Sequence, residues 1–245
     1  MALPLDGKVA LVTGGTQNIG RGIALRLAHD GARVVVGYHS DEGAAQEALA
    51  ALRDAGAEAR AVKADVSTAQ GVRSLFVQAE DAFESVDILV ANAGLTPTPS
   101  PIAETPDEEI ERMLALNVRG AFFQLREGAR RVAEGGRIVA VGSGVARANP
   151  PGLGLYAATK AAVASLVETL AKEVGERGVT VNAVLPGPTT DAPPENEGDT
   201  DEAKLSVFDR MGRPDDIASV VAFLARDDAG WVTGSRILAS GGAFL

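Results

Sequence analysis

The chain has 245 residues, with 33 acidic and 23 basic side chains and a formal net charge of −10. That balance argues against nucleic acid or an anionic membrane as a general partner. With no cysteine and only two histidines, His29 and His39, disulfides, thiolate chemistry and histidine-rich metal sites are excluded, and no metal is expected.

The first residues lack a basic segment followed by a long apolar one, so no signal peptide is expected and the expected location is cytoplasmic. No apolar run is long enough to span a bilayer. Residues 8–13 form a near-continuous apolar run, as expected of a strand buried on both faces. A small-residue turn follows (Gly14, Gly15, Thr16, Gln17, Asn18, Ile19, Gly20) and then an apolar-periodic helix. Strand, glycine turn and helix together suit a pyrophosphate held at a helix N-terminus. The pattern is T-G-x-x-x-N-x-G rather than the commoner G-x-G-x-x-G. Asn18 tolerates left-handed backbone, so the turn can survive that change.

A second strand is expected at 33–37. Where an NAD-binding chain often places an acid for the ribose hydroxyl, this sequence has Tyr38, His39 and Ser40, with no acid before Asp41. The missing carboxylate removes repulsion of a 2′-phosphate, and His39 and Ser40 can donate to it. NADP(H) is therefore favoured, with NAD(H) possible. No lysine or arginine stands at Thr16 or Gln17 to add a phosphate clamp.

The chain then alternates. A helix is expected over 41–55, a strand over 59–64 ending at Asp65 and Val66, and a helix from Thr68 capped by Ser67 with Val72, Leu75, Phe76, Ala79 and Phe83 inward. The fourth strand, 86–90, runs into the turn Asn92, Ala93, Gly94. A Pro/Thr loop covers 95–101. One helix is expected from 104 to 133, with Asn117 as a lone amide on an apolar stretch that either bends the helix or serves the site. Arg126, Arg130 and Arg131 make its far end basic, as a solvated face or a docking surface. A fifth strand follows Gly135 and Gly136 and ends at Ser143, then come a Pro/Gly loop to 153, a helix over 155–177 and a sixth strand over 179–185 stopped by Pro186, Gly187 and Pro188. Residues 188–210 are acidic and proline-bearing, as expected of a functional lid or of simple disorder. A helix from 213 and a strand at 234–239 complete the chain. This alternation, without repeat or linker, predicts an α/β fold: a single-domain (1–245) doubly wound parallel sheet of the Rossmann type, about seven strands with helices on both faces.

The chemistry centres on Tyr156 and Lys160. At i and i+4 they share one helix face, about 5–6 Å apart at Cβ. A phenol is a poor acid at neutral pH. An ammonium roughly 5 Å away, at an effective dielectric of about 20, contributes ~3 kcal/mol, enough to lower the phenol's pKa by about two. Ser143, at a strand end, can hold the same oxygen. Three groups on one oxygen suit carbonyl reduction or alcohol oxidation beside a hydride carrier.

In order and spacing, Thr13-Gly14…Gly20, Asp65-Val66, Asn92-Ala93-Gly94, Asn117, Ser143, Tyr156-x-x-x-Lys160 and Pro186-Gly187 resemble the short-chain dehydrogenase/reductase family over essentially the whole length. The resemblance implies Tyr156 as general acid/base, Lys160 lowering its pKa and holding the nicotinamide ribose, Ser143 positioning the carbonyl, and Asn117 shaping a water relay to Lys160. It implies cofactor contacts at Gly14, Thr16, Gln17, Asn18, Ile19, Gly20, Tyr38, His39, Ser40, Asp65, Val66, Asn92, Ala93, Gly94, Tyr156, Lys160, Pro186, Gly187 and Thr189. It also implies a homotetramer or homodimer acting on a small carbonyl or alcohol. Within the family the chain is similar to 3-oxoacyl-carrier reductases and polyhydroxynaphthalene-type ketoreductases, both NADPH users. An NAD-dependent sugar or polyol dehydrogenase and a non-catalytic dinucleotide sensor are the competing expectations.

Overall fold

In the computed structural model, residues 3–192 and 200–244 are described. The acidic, proline-bearing part of the expected lid, residues 193–199, lies outside them.

Seven strands pair in the order β3-β2-β1-β4-β5-β6-β7, and every pairing is parallel. They are β1 (Val9–Thr13), β2 (Arg33–Tyr38), β3 (Ala59–Lys63), β4 (Val86–Ala91), β5 (Val132–Val141), β6 (Thr180–Pro186) and β7 (Arg236–Ala239). The helices are α1 (Asn18–His29), α2 (Glu42–Asp54), α3 (Ala69–Phe83), α4 (Asp107–Met113), α5 (Ala121–Arg131), α6 (Val145–Ala148), α7 (Gly154–Glu173), α8 (Asp201–Lys204) and α9 (Pro214–Ala225). All five residues of β1 are buried, because helices cover both faces of the sheet and no side of a central strand meets water. Two apolar cores result. One lies against α3, α5 and α7, around Phe76, Leu89 and Ile138. The other lies against α1, α2 and α9, around Ile23, Leu27 and Ile217. The strand order reverses between β1 and β4, so a crevice opens at their carboxyl ends, where open α/β sheets bind ligands. Among the described residues, no helix is long and apolar enough to cross a membrane.

Several boundaries differ from the sequence expectation. Thr68, not Ser67, caps α3, accepting from the Gly71 amide at 3.0 Å. Ser67 instead donates through its hydroxyl and amide to Asp65, at 2.7 and 2.9 Å. The expected helix over 104–133 is broken. It begins at Asp107, widens to a π-helical turn over Leu114–Gly120, and resumes as α5. It ends at Arg131 because β5 already starts at Val132, reaching back to pair with Val86. The helix α7 stops at Glu173, and a 3-10 turn, Gly175–Arg177, follows it. Two short helices, α6 and α8, form in stretches expected to be loop.

Candidate active site

The turn after β1 is shaped by backbone that few residues adopt. Gly14 and Asn18 both have positive φ, 59° and 46°; Asn18 thus takes the left-handed conformation anticipated for it. A methyl at Gly20 would overlap the Gly14 carbonyl oxygen, so α1 can pack this close only without a side chain there. The first turn of α1 carries no acidic residue, and Gln17 offers no side-chain cap. Its amides therefore remain available to an anion.

The ends of β1 and β4 are laced together. Thr13 accepts from the Asn92 and Ala93 amides, both at 3.0 Å, and donates to Gln124 on α5 at 2.7 Å. Asn92 returns its side-chain amide to the carbonyls of Thr13 and Gly14, at 2.9 and 3.1 Å. The crevice is thereby held open at one width.

That crevice is a cleft of about 690 Å³. Of the sequence-predicted residues it gathers Gly14 and the 16–20 turn, Tyr38 to Ser40, Asn92 to Gly94, and Pro186, Gly187 and Thr189, together with Ser143, Tyr156 and Lys160. Three expected residues do not line it. Asp65 and Val66 stand outside the wall. Asp65 is bound to Ser67, and hydrogen bonding there, aided by His39 and Arg119 nearby, holds its carboxyl below the usual range. Asn117 is buried behind the wall. Its side chain pairs with both backbone groups of Leu95, accepting at 2.7 Å and donating at 3.0 Å. The helix widens around this amide, and its side chain pins Leu95, which lines the cleft.

Ser143 lies two residues beyond the end of β5 and accepts from the Val145 amide, at the start of α6, at 3.2 Å. It also hydrogen-bonds Tyr156. Lys160 is buried; it donates to the Val141 carbonyl at 3.1 Å and lies 5.7 Å from the centre of the Tyr156 ring. The electrostatics reverse the sequence expectation. Burial pushes the Tyr156 phenol above its ordinary range, with the Ser143 bond opposing. The same burial pulls Lys160 down to about 8. Loss of water around the two groups disfavours both charges and sets the direction of both shifts.

Asp41 lines the cleft near Tyr38, yet both its oxygens are engaged. One caps α2 through the Ala44 amide at 2.9 Å, and the other accepts from Gln17 at 2.9 Å. The basic end of α5 is likewise engaged. Arg126 and Arg130 pair with Glu127 (3.7 and 3.1 Å), and Arg131 pairs with Glu80 (2.8 Å). These pairings weigh against a free docking patch.

The two ends of the segment that leaves β6 and returns before α9 are tied together. Gly212 donates to Pro188 O at 2.8 Å and Thr190 donates to Gly212 O at 3.0 Å. One lining residue had no signal in sequence: Phe244, from the segment after β7, reaches the same cleft.

These residues fit a dinucleotide. The turn supplies uncapped amides for the phosphates, and the same cleft is lined by a hydroxyl, a phenol and an ammonium.

Comparison with known proteins agrees. Residues 14–243 match the family model described as enoyl-(acyl carrier protein) reductase. An NADPH-dependent aldehyde reductase-like protein, chloroplastic, from Arabidopsis thaliana is 41% identical, covering 98% of this chain and 95% of its own. Versicolorin reductase from Emericella nidulans is 39% identical, covering 98% and 97%. Among solved structures, a short-chain dehydrogenase from Burkholderia cenocepacia J2315 in complex with NADP superposes with a TM-score of 0.92 at 37% identity, over 99% of this chain and 100% of that one.

Proposed function

Because the chain belongs to the short-chain dehydrogenase/reductase family and is an NAD(P)-dependent oxidoreductase, we propose that it is an NADP(H)-dependent reductase of small, neutral ketones, with Tyr156 as general acid/base. The observation that carries this is the convergence of Ser143, Tyr156 and buried Lys160 in the cleft that starts at the uncapped end of α1.

A bound nicotinamide supplies the hydride. Ser143 holds the carbonyl oxygen and Tyr156 delivers the proton to it. Lys160, charged below about pH 8, holds the nicotinamide ribose and favours proton loss from the phenol. Asn117 is a positioning residue that fixes Leu95 and shapes a water path toward Lys160. Residues 1–245 act as one binding domain, with 188–210 as its lid. The exposed Phe122 and Trp231 support assembly as a homodimer or homotetramer.

The engagement of Asp41 supports NADP(H). Each of its oxygens already accepts one hydrogen bond, which holds the carboxylate to Gln17 and the start of α2 rather than to a ribose hydroxyl, while His39 and Ser40 are placed to meet a 2′-phosphate. A charged hydrogen bond contributes about 1.5–3 kcal/mol. NADPH should therefore exceed NADH in kcat/KM by about 10–100-fold. Steady-state kinetics with each cofactor and one ketone check this; a preference for NADH overturns it.

The raised phenol pKa also sets a direction. Near neutral pH, Tyr156 holds the proton that reduction needs, whereas oxidation needs the phenolate. Alcohol oxidation should climb with pH well into the alkaline range, and ketone reduction should fall across the same interval. Initial rates in both directions over pH 6–11, about that span, test the pair of trends. Following NADPH absorbance against a panel of neutral ketones tests the activity itself. Tight NADPH binding with no turnover of any member would return the site to a sensor.

A further inference from the structure

Resting on the ketone-reductase reading, we infer that Phe244 is a specificity-determining residue, whose ring forms the wall of the carbonyl pocket and selects flat aromatic ketones over open-chain ones.

The ring reaches the site from a distance. Phe244 follows the end of β7 by five residues, past the last residue matched by the family model. It lines the same cleft as Ser143 and Tyr156. Its immediate support is Gly144, the residue after Ser143. A methyl built on Gly144 would overlap the Phe244 ring. The ring therefore lies on bare backbone, one residue from the hydroxyl that holds the carbonyl. Gly144 has φ −62°, which any residue adopts, so conformational freedom is not what the position requires. What it requires is the absence of a side chain beneath the ring.

The segment carrying Phe244 is anchored at its other end. Val207 donates its amide to the Gly241 carbonyl at 2.9 Å. A side chain at Gly241 would press on Ser206, whose hydroxyl accepts from Phe208 at 3.1 Å. Segments 206–208 and 241–244 are thus joined, and the ring is set between this clamp and Gly144.

The rest of the wall states what the pocket accepts. Leu95, Pro97, Pro99, Val145 and Leu153 are apolar. Among the described lining residues, Lys160 is the one lysine or arginine, and it is buried. Glu202 adds negative charge at the wall. Among these described residues, a carboxylate or phosphate on the substrate meets no exposed lysine or arginine. A planar ring next to the carbonyl finds an aromatic face, and ring pairs 4.5–7 Å apart contribute about 0.5–1.5 kcal/mol beyond area burial.

The test compares acetophenone with 2-butanone, using NADPH, for the wild type, F244A, F244L, G144A and the G144A/F244A double variant. F244A should lower kcat/KM for acetophenone about tenfold, mainly through KM, and change 2-butanone by about twofold or less. F244L should fall in between and controls for loss of bulk. G144A should act like F244A, because its methyl displaces the ring. The double variant should be no worse than F244A alone, since the methyl then has no ring to push. An acetophenone-to-butanone ratio unchanged in F244A overturns the assignment. So does an additive double variant. So does a drop in NADPH affinity in F244A, which would place the ring against the cofactor. A wild type that reduces neither probe nor any other ketone overturns the activity reading itself, and this inference with it.

Discussion

Replacing Tyr156 with phenylalanine should lower kcat by about 10²–10⁴-fold, the range lost when a positioned proton donor is removed. The ring stays and only the hydroxyl goes, so packing on α7 is kept. NADPH binding, read by fluorescence titration, should persist. The loss therefore falls on the chemical step. A variant that keeps more than about a tenth of wild-type turnover would place the proton donor elsewhere. The substitution is informative because the phenol keeps its proton near neutral pH: burial raises its pKa, with Ser143 opposing.

Replacing Lys160 with methionine should abolish activity and make the protein more stable at pH 7. Burial holds Lys160 at about 8, against an ordinary lysine near ~10.4. Between those values the unfolded chain carries a proton that the folded chain lacks. Wild-type stability therefore rises with pH across that window and is lowest below about 8. Keeping the ammonium buried there costs roughly 3 kcal/mol. Methionine fills a similar volume and binds no proton in either state. It leaves the Val141 carbonyl without its donor, a loss of about 1 kcal/mol. The net gain is about 2 kcal/mol at pH 7, or roughly 4–8 °C in Tm for a chain of this size. The gap should close as pH rises toward ~10.4. Thermal melts of both proteins at pH 7 and at alkaline pH measure it. A variant less stable than wild type at pH 7, or a gap indifferent to pH, would show that the buried charge is not the cost. On this account the ammonium is kept for its chemistry, at the expense of the fold.

How far the sequence revealed this molecule depended on the range of the interactions involved. The strand β1, its glycine turn and α1 were legible because each follows from a few adjacent residues: an apolar run, φ-tolerant glycines and an asparagine, then helical periodicity. Tyr156 and Lys160 were legible because helical spacing alone puts them on one face. The break in the helix around Asn117 was half legible. The lone amide on an apolar stretch marked the position, but its partner Leu95, 22 residues back across the site, had no local signal. Ser67 and Thr68 are equally good caps by residue type. Asp65 decides between them by engaging Ser67. The sign of the Tyr156 shift was hidden for the same reason: spacing gives a distance, but not the loss of water around both groups. Asp65 and Val66 fit a familiar motif by position, yet neither is among the residues that line the cleft. Phe244 had no local signal at all. Its support is Gly144, a hundred residues earlier, and no local pattern marks a pairing of that range.

The tie at Pro188, Thr190 and Gly212 has a consequence for how such a protein can diversify. Its crossed hydrogen bonds fix where the chain leaves the β6 end and where it re-enters before α9. The intervening stretch can then be lengthened, shortened or exchanged without shifting the scaffold that bears the proton-transfer groups. Selectivity and reactivity become separately heritable, so a transplanted loop should bring a new preference into an unaltered chemical engine.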